Sequence, residues 1–259
     1  RTTPGTGLAR DPGVTSTGNP TMPARRRILH ARVLLLLTAV FVWGTWQIAR
    51  TSRFQLLGEW VRHVEVDEPL LALTFDDGPR QVYTEQILAL LDEHQARATF
   101  FMVGEKVAAN PELARAVLDA GHEIGNHSWS HQRMLLRSPG WMREEIARTD
   151  GALRTVGVQG PIHFRPPFGK KLLILPWVLW RQDRLSVLFD VIPDPPDYLH
   201  GDPELMAADI QARARPGSIV VLHDGGGPRP EPVAATRLVL ERMGAAGWRF
   251  VTVSVLLAR

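Results

Sequence analysis

The chain has 259 residues and no cysteine. That excludes disulfides and every thiolate metal site, and leaves histidine and carboxylate to hold any metal. It does not decide a compartment. A basic surplus is also missing from most of the chain. Of 30 lysines and arginines and 27 acids, residues 1–66 hold nine arginines against three acids, so the remainder carries 21 basic against 24 acidic groups. The net charge of +3 therefore belongs to the N-terminal arm, and no basic face for nucleic acid is expected on the folded part. Internal repeats and low-complexity tracts are absent from residues 67–259. With 44% hydrophobic and 22% charged residues, the chain has room for one domain of about 200 residues plus an extension.

Residues 1–24 are rich in Gly, Pro, Thr and Ser without hydrophobic period, and read as disordered or as sequence upstream of the natural start, with Met22 a candidate initiator. Arg25, Arg26 and Arg27 then precede Val33–Ala49, a nearly unbroken apolar run of 17 residues, the lower bound for a helix that crosses a bilayer. No small-residue cleavage site of the Ala-x-Ala kind follows it. Residues 25–50 are read as an uncleaved signal anchor; a cleaved signal peptide of a secreted protein and a buried soluble helix are the alternatives. Arginines crowd before the run and thin out after it, at Arg50, Arg53 and Arg62, which favours a cytoplasmic N-terminus. The expectation is a single-pass protein of the cytoplasmic membrane with its main domain outside. Residues 51–66 are read as a connector and 67–259 as the main domain.

Within that domain short apolar runs alternate with helical patterns. Strands are expected at Leu70–Phe75, Ala98–Val103, Glu123–Gly125, Ile162–Phe164, Val187–Val191, Ser218–Leu222 and Phe250–Val255. Helices are expected at Tyr83–His94, Pro111–Ala120, Met142–Val156, Met206–Ala214 and Val233–Ala246. This alternation predicts a parallel sheet with helical crossovers, an α/β fold of the distorted, incomplete (β/α) barrel kind. Leu172–Trp180 is apolar but interrupted by Pro176 and too short to span a membrane, so it is core or an exposed patch.

Four stretches carry chemistry. The strand Leu70–Phe75 ends in Asp76-Asp77-Gly78-Pro79, at the carboxyl end where α/β folds gather their sites. Adjacent strand residues point to opposite faces, so both carboxylates reach one site only if the chain bends; two solvated acids in a turn are the alternative. His127-Ser128-Trp129-Ser130-His131 spaces two imidazoles four apart, which on a helical turn lie on one face and bind one ion; surface histidines are the plainer reading. A strand-end aspartate as third ligand would leave a coordination position open, the arrangement of a catalytic site. Arg165-Pro166-Pro167-Phe168-Gly169 presents a guanidinium from a stiffened loop, or is merely a Pro-rich turn. Ile219-Val220-Val221-Leu222-His223-Asp224 delivers a histidine at a strand end, either structural or a proton donor.

In this order the pieces resemble the polysaccharide deacetylases of carbohydrate esterase family four, over residues 67–259. TFDDGP at 74–79, HSWSH at 127–131, RPPFG at 165–169 and LHDGGG at 222–227 carry the resemblance. It implies a zinc-dependent barrel enzyme, with another divalent transition metal as the alternative ion. Asp77, His127 and His131 resemble the metal ligands, and Asp76 the general base toward the attacking water. Arg165 resembles the arginine that holds the base, Phe168 supplies an oxyanion N–H, and His223 resembles the acid that protonates the leaving amine. The fourth motif departs from the family pattern. Among Asp190, Asp194 and Asp197, Asp197 is chosen to orient His223 because Tyr198 then takes the place of an aromatic that lines the sugar site. Val221 and Leu222 are assigned to an acetyl pocket.

The implied reaction removes N-acetyl groups from N-acetylglucosamine-type residues of a polysaccharide or oligosaccharide of the cell envelope, releasing acetate. O-acetyl esterase activity on a glycan such as acetylxylan and a catalytically dead, membrane-anchored glycan-binding module are the rival readings. A monomer is expected.

Overall fold

A computed structural model describes residues 24–50, 55, 57–193, 196 and 201–259, in two units that meet at Gly44 and Thr45. The helix α1 (Ala24–Arg50) includes Ile28–Ala49, 22 residues long and apolar enough to cross a membrane by length and composition. A signal sequence passes the same test. Leu34, Leu35, Leu36 and Leu37 are exposed along it.

The second unit begins with β1 (Trp60–Val61) and β2 (Leu70–Asp76), then α2 (Tyr83–Glu93), β3 (Thr99–Met102), α3 (Gly104–Ala109), α4 (Pro111–Asp119), β4 (Glu123–Asn126) and α5 (Pro139–Thr155). It continues through α6 (Ile174–Arg181), β5 (Ser186–Val187), α7 (Pro203–Arg213), β6 (Ser218–His223), α8 (Pro230–Ala245), β7 (Arg249–Phe250) and α9 (Val253–Leu257). Strands β4, β3, β2 and β6 lie side by side and parallel, with β7 pairing the start of β2. Single bridges complete the ring. Phe164 bridges Asn126 of β4 and Ser186 of β5, and Val191 bridges Val220 of β6. The α/β class and the distorted barrel expected from the alternation are what the chain forms.

Several elements differ from expectation. Ile162–Phe164 forms no strand, only the bridge at Phe164, because Pro161 and Pro166 flank it and supply no ladder donors. Residues 60–66, read as connector, enter the fold: β1 pairs with β5, and Val61, Val64 and Val66 pack on the interior core. Pro176 does not interrupt α6, since it occupies the first turn, where its missing N–H has no carbonyl to serve. Phe250–Val255 is a strand only at Phe250. Thr252 Oγ1 then accepts from Val255 N and caps α9.

Strand alternation divides the core into two faces. Leu71, Leu73 and Phe75 of β2 pack outward with Ile87, Leu91 and Val239 of the surrounding helices. Leu70 and Ala72 face inward with Phe101, Ile219, Val253 and Leu256, so α9 plugs the barrel end. Thr74 and Asp76 share the inward parity. Register sets Asp76 beside Phe101 on one neighbour and His223 on the other, which delivers Asp76 and His223 to the same face at the carboxyl end.

His122, just before β4, is buried, and its Nδ1 accepts a hydrogen bond from Ala98 N at 3.3 Å. Burial, helped by the charge of Arg97, pushes its pKa down to about 4. The folded protein therefore binds this proton less readily than the unfolded chain. The contribution is complete above pH 6.5 and lost as pH falls toward 4, amounting to up to about 3 kcal/mol. His122→Asn keeps an acceptor and removes the titration. Urea unfolding at pH 7.5 and 4.5 is expected to show a smaller acid loss in the variant; equal losses would contradict this account.

Candidate active site

The site starts with a bend. Asp77, one residue beyond β2, has φ 73, a left-handed conformation that costs a non-glycine residue roughly 1 kcal/mol. It turns the Asp77 carboxylate toward the side already occupied by Asp76. The bend is held from three directions: Lys106 Nζ donates to Asp77 O at 2.5 Å, Val103 N to Gly78 O at 2.9 Å, and Asp224 N to Asp76 O at 3.1 Å. Glycine is required opposite, since a Cβ on Gly226 would press on Asp77 Oδ2 at 2.5 Å and one on Gly225 would strike the Asp77 carbonyl. Behind the bend Asp224 is fully buried and accepts from Thr84 Oγ1 at 2.5 Å. Burial pushes its carboxyl up to about 7, against the Thr84 hydrogen bond and with the charge of Asp77 adding to the rise.

The two histidines are not on a helix. His127 follows β4, and the loop to His131 passes through left-handed residues at Ser128 (φ 64) and at His131 itself (φ 54). Side chains that sequence reasoning missed shape this loop. Buried Asn126 donates to Ile146 O and Asp150 Oδ1 and accepts from Ser128 N, all within 2.9 Å. Buried Glu145 of α5 accepts from both the backbone and hydroxyl of Ser130, and Arg184 grips Asp150 with two nitrogens. An Asn directly before the first histidine was the available signal. Glu145 and Asp150 gave none, since both look like an ordinary charged helix face.

Asp77, His127 and His131 converge, with one ligand atom from each within 4.8 Å of the others. Asp77 Oδ1 lies 2.9 Å from His131 Nε2 and 3.5 Å from His127 Nε2, yet it is buried without a well-directed hydrogen bond. The His127 tautomer sharpens the point. Its Nδ1 lies 2.9 Å from Arg165 O, which can only accept, so Nδ1 carries a proton, and in the neutral tautomer this leaves, Nε2 turns a lone pair toward Asp77. A lone pair facing a carboxylate oxygen suits a bound cation. Burial opposes the Asp77 charge, but its side-chain contacts with His127 and His131 hold its carboxyl far below the usual range. The donor set, two imidazoles and one carboxylate, fits a divalent transition ion with an open coordination position.

Arg165 is completely buried. Nη1 donates to Asp76 Oδ1 at 2.7 Å and Thr74 Oγ1 at 2.6 Å, Nε to Val187 O and Nη2 to Leu188 O, each at 3.2 Å. Its guanidinium also lies 4.0 Å from the Phe101 ring centre. One oxygen of Asp76 is thus committed to Arg165, while Oδ2 sits 3.8 Å from His127 Nε2. Phe168 (φ 59) is half exposed on the rim, its ring 4.7 Å from that of His131.

The remaining expected residues divide. Val221 shares the inward parity of His223, but Leu222 is fully buried in the outward core with Phe75 and Leu240, so the pair cannot line one pocket. Asp190 accepts from Ser218 Oγ and Ile219 N, at the opposite end of β6 from His223, roughly 16 Å away along the strand. It does not orient His223. Asp194, Asp197 and Tyr198 lie outside the described residues.

A cluster able to hold a metal, beside a carboxylate held by a buried arginine, is therefore in place, and known proteins give it a family. Residues 63–177 match the family model described as polysaccharide deacetylase. A peptidoglycan-N-acetylglucosamine deacetylase of Bacillus cereus is 39% identical over 192 residues, 74% of this chain and 89% of the relative. A chitooligosaccharide deacetylase of Bradyrhizobium sp. is 35% identical over 169 residues, 61% of this chain and 72% of the relative. The crystal structure of the Bc1960 peptidoglycan N-acetylglucosamine deacetylase, in complex with a hydroxamate-type benzamide, superposes with a TM-score of 0.72 at 28% identity, covering 76% of this chain and 92% of that one. The chain belongs to the polysaccharide deacetylase family and is a hydrolase of the deacetylase class.

Proposed function

We propose that this chain is a zinc-dependent N-deacetylase that removes acetyl groups from N-acetylglucosamine residues of a cell-envelope polysaccharide, with peptidoglycan the first candidate and chitin-like oligosaccharides the second. The observation that carries this reading is the pairing of two features. One is the buried Asp77 Oδ1 facing the lone pair of His127 Nε2; the other is Asp76 held through a single oxygen by Arg165. The similarity to relatives named for peptidoglycan and chitooligosaccharide deacetylation supports the substrate class. Residues 25–50 anchor the chain in the cytoplasmic membrane and the deacetylase domain, 67–259 with the packed segment 60–66, acts outside.

Asp77, His127 and His131 would hold the ion, which when bound supplies Lewis acidity toward the amide carbonyl and the attacking water. Asp76 takes the water's proton on Oδ2, the oxygen that Arg165 leaves open. Arg165 fixes the rotamer of that base and balances its charge. The Phe168 N–H donates to the developing oxyanion, and Val221 lies on the inward face beside the acetyl methyl. His223, in register with Asp76, protonates the departing nitrogen; the residues assigned to support it and to line the sugar site, Asp197 and Tyr198, lie outside the described residues.

The test is acetate release by zinc-loaded protein from peptidoglycan fragments, chitooligosaccharides and acetylxylan, with products identified by mass spectrometry. Free amino sugar from an N-acetylated glycan is expected. Release from acetylxylan alone would hand the chain to the O-esterase reading, and binding without release to the glycan-binding module. His223→Ala is expected to cost N-acetyl substrates more than an activated aryl acetate, because an amine is too basic to leave unprotonated. Equal penalties would remove His223 as general acid.

A further inference from the structure

We propose that the outer stripe of α6 lies in the interfacial layer of the bilayer in which α1 ends, docking the catalytic unit flat on the membrane. The proposal rests on the anchor reading of residues 25–50. Its starting point is that α6 is apolar on both sides. Leu175, Val178 and Leu179 face a core with Met142, Ile146 and Phe164. Opposite them Leu173, Trp177 and Trp180 are 49%, 38% and 53% exposed, at helical spacing i, i+4 and i+7 that makes them one stripe. A helix apolar all round is ordinarily covered on every side.

The surroundings of the stripe say what covers it. The two tryptophans share an open cleft of about 430 Å³ with Arg143, Arg181 and Gln182, so indole rings sit beside guanidinium groups. Indoles prefer the boundary between hydrocarbon and headgroups, and arginines at that level pair with lipid phosphates. Position points the same way. Lys171 N donates to Ala49 O at 3.0 Å and Lys170 Nζ lies 4.8 Å from the Trp46 ring centre, and both partners lie among the last five residues of α1. The stripe therefore begins two residues after Lys171, whose backbone N–H bonds the residue at which the apolar span closes. Its side chains would be immersed by about 5–10 Å, the depth of an interfacial helix.

The absence of cysteine makes the test direct. Nitroxide labels are placed one at a time on Leu173→Cys and Trp180→Cys in the full chain reconstituted into vesicles of phosphatidylethanolamine and phosphatidylglycerol. Leu36→Cys in α1 and Glu112→Cys on α4 serve as the buried-in-lipid and water references. Collision with oxygen should exceed collision with a polar nickel chelate at Leu173, Trp180 and Leu36, and the order should reverse at Glu112. Water-like values at both α6 positions with Leu36 in lipid would overturn the docking and leave the anchor standing. Shielding from both reagents would mean a protein covers the stripe, which also overturns it. A water-accessible Leu36 would sink the anchor reading and the docking together.

Discussion

Chelation is expected to bring acetate release down to the uncatalysed background, and zinc to restore it. The reason lies in the donor inventory. The chain has no cysteine, and among the described residues Asp77, His127 and His131 form the one group of acids and histidines close enough to share an ion. His127→Ala should lose metal and activity together. Its penalty in affinity should exceed the roughly 10–100-fold that follows loss of an outer-shell partner, since a ligand itself is removed and Arg165 O loses its donor. Metal content by plasma mass spectrometry, measured beside acetate release, checks both statements. Full activity in metal-free protein would refute the mechanism.

Asp76→Asn is expected to separate binding from chemistry. The amide oxygen can still accept from Arg165 Nη1, but its nitrogen stands where Oδ2 would take a proton. Zinc content should stay within a small factor of the parent, while kcat falls by roughly 100-fold or more, the scale of losing a positioned proton acceptor. The buried Arg165 also loses its counter-charge, so the variant should unfold at lower urea. Unfolding midpoints need to accompany the kinetics. Loss of zinc in a folded Asp76→Asn protein would show that the two aspartates have exchanged roles.

Much of the site was legible because strand ends announce themselves. The largely apolar run to Phe75 followed by Asp76-Asp77-Gly78, and the run to His223, each placed a candidate group at a predictable end of a strand. Register was not legible. That Asp76 and His223 face each other across β2 and β6 depends on pairing between distant segments, which local pattern does not encode. The path between His127 and His131 was misread for another reason. Spacing of four suggested a helical turn, whereas hydrogen bonds from Ser128 N to Asn126 and from Ser130 N to Glu145 impose a loop with two left-handed residues. At the C-terminus, Val251-Thr252-Val253-Ser254-Val255 alternates like a strand. The Thr252 cap and the burial of Val253 and Leu256 in the barrel end make it a helix. β1 and α3 were too short to show a period.

Arg165 ties four places together from inside the ring. Through it β2, at Thr74 and Asp76, is stitched to the segment Val187–Leu188, on the side where the ring is closed by a single bridged residue, Phe164. The side chain that holds Asp76 Oδ1 is thus also a cross-beam beside a seam of the barrel closed by a single bridged residue. The placing of the Asp76 carboxylate and closure of the barrel on this side are therefore mechanically coupled. On the proposed mechanism, a substitution that loosens the seam at Phe164 or Val187 would reach the chemistry through Arg165 without touching substrate.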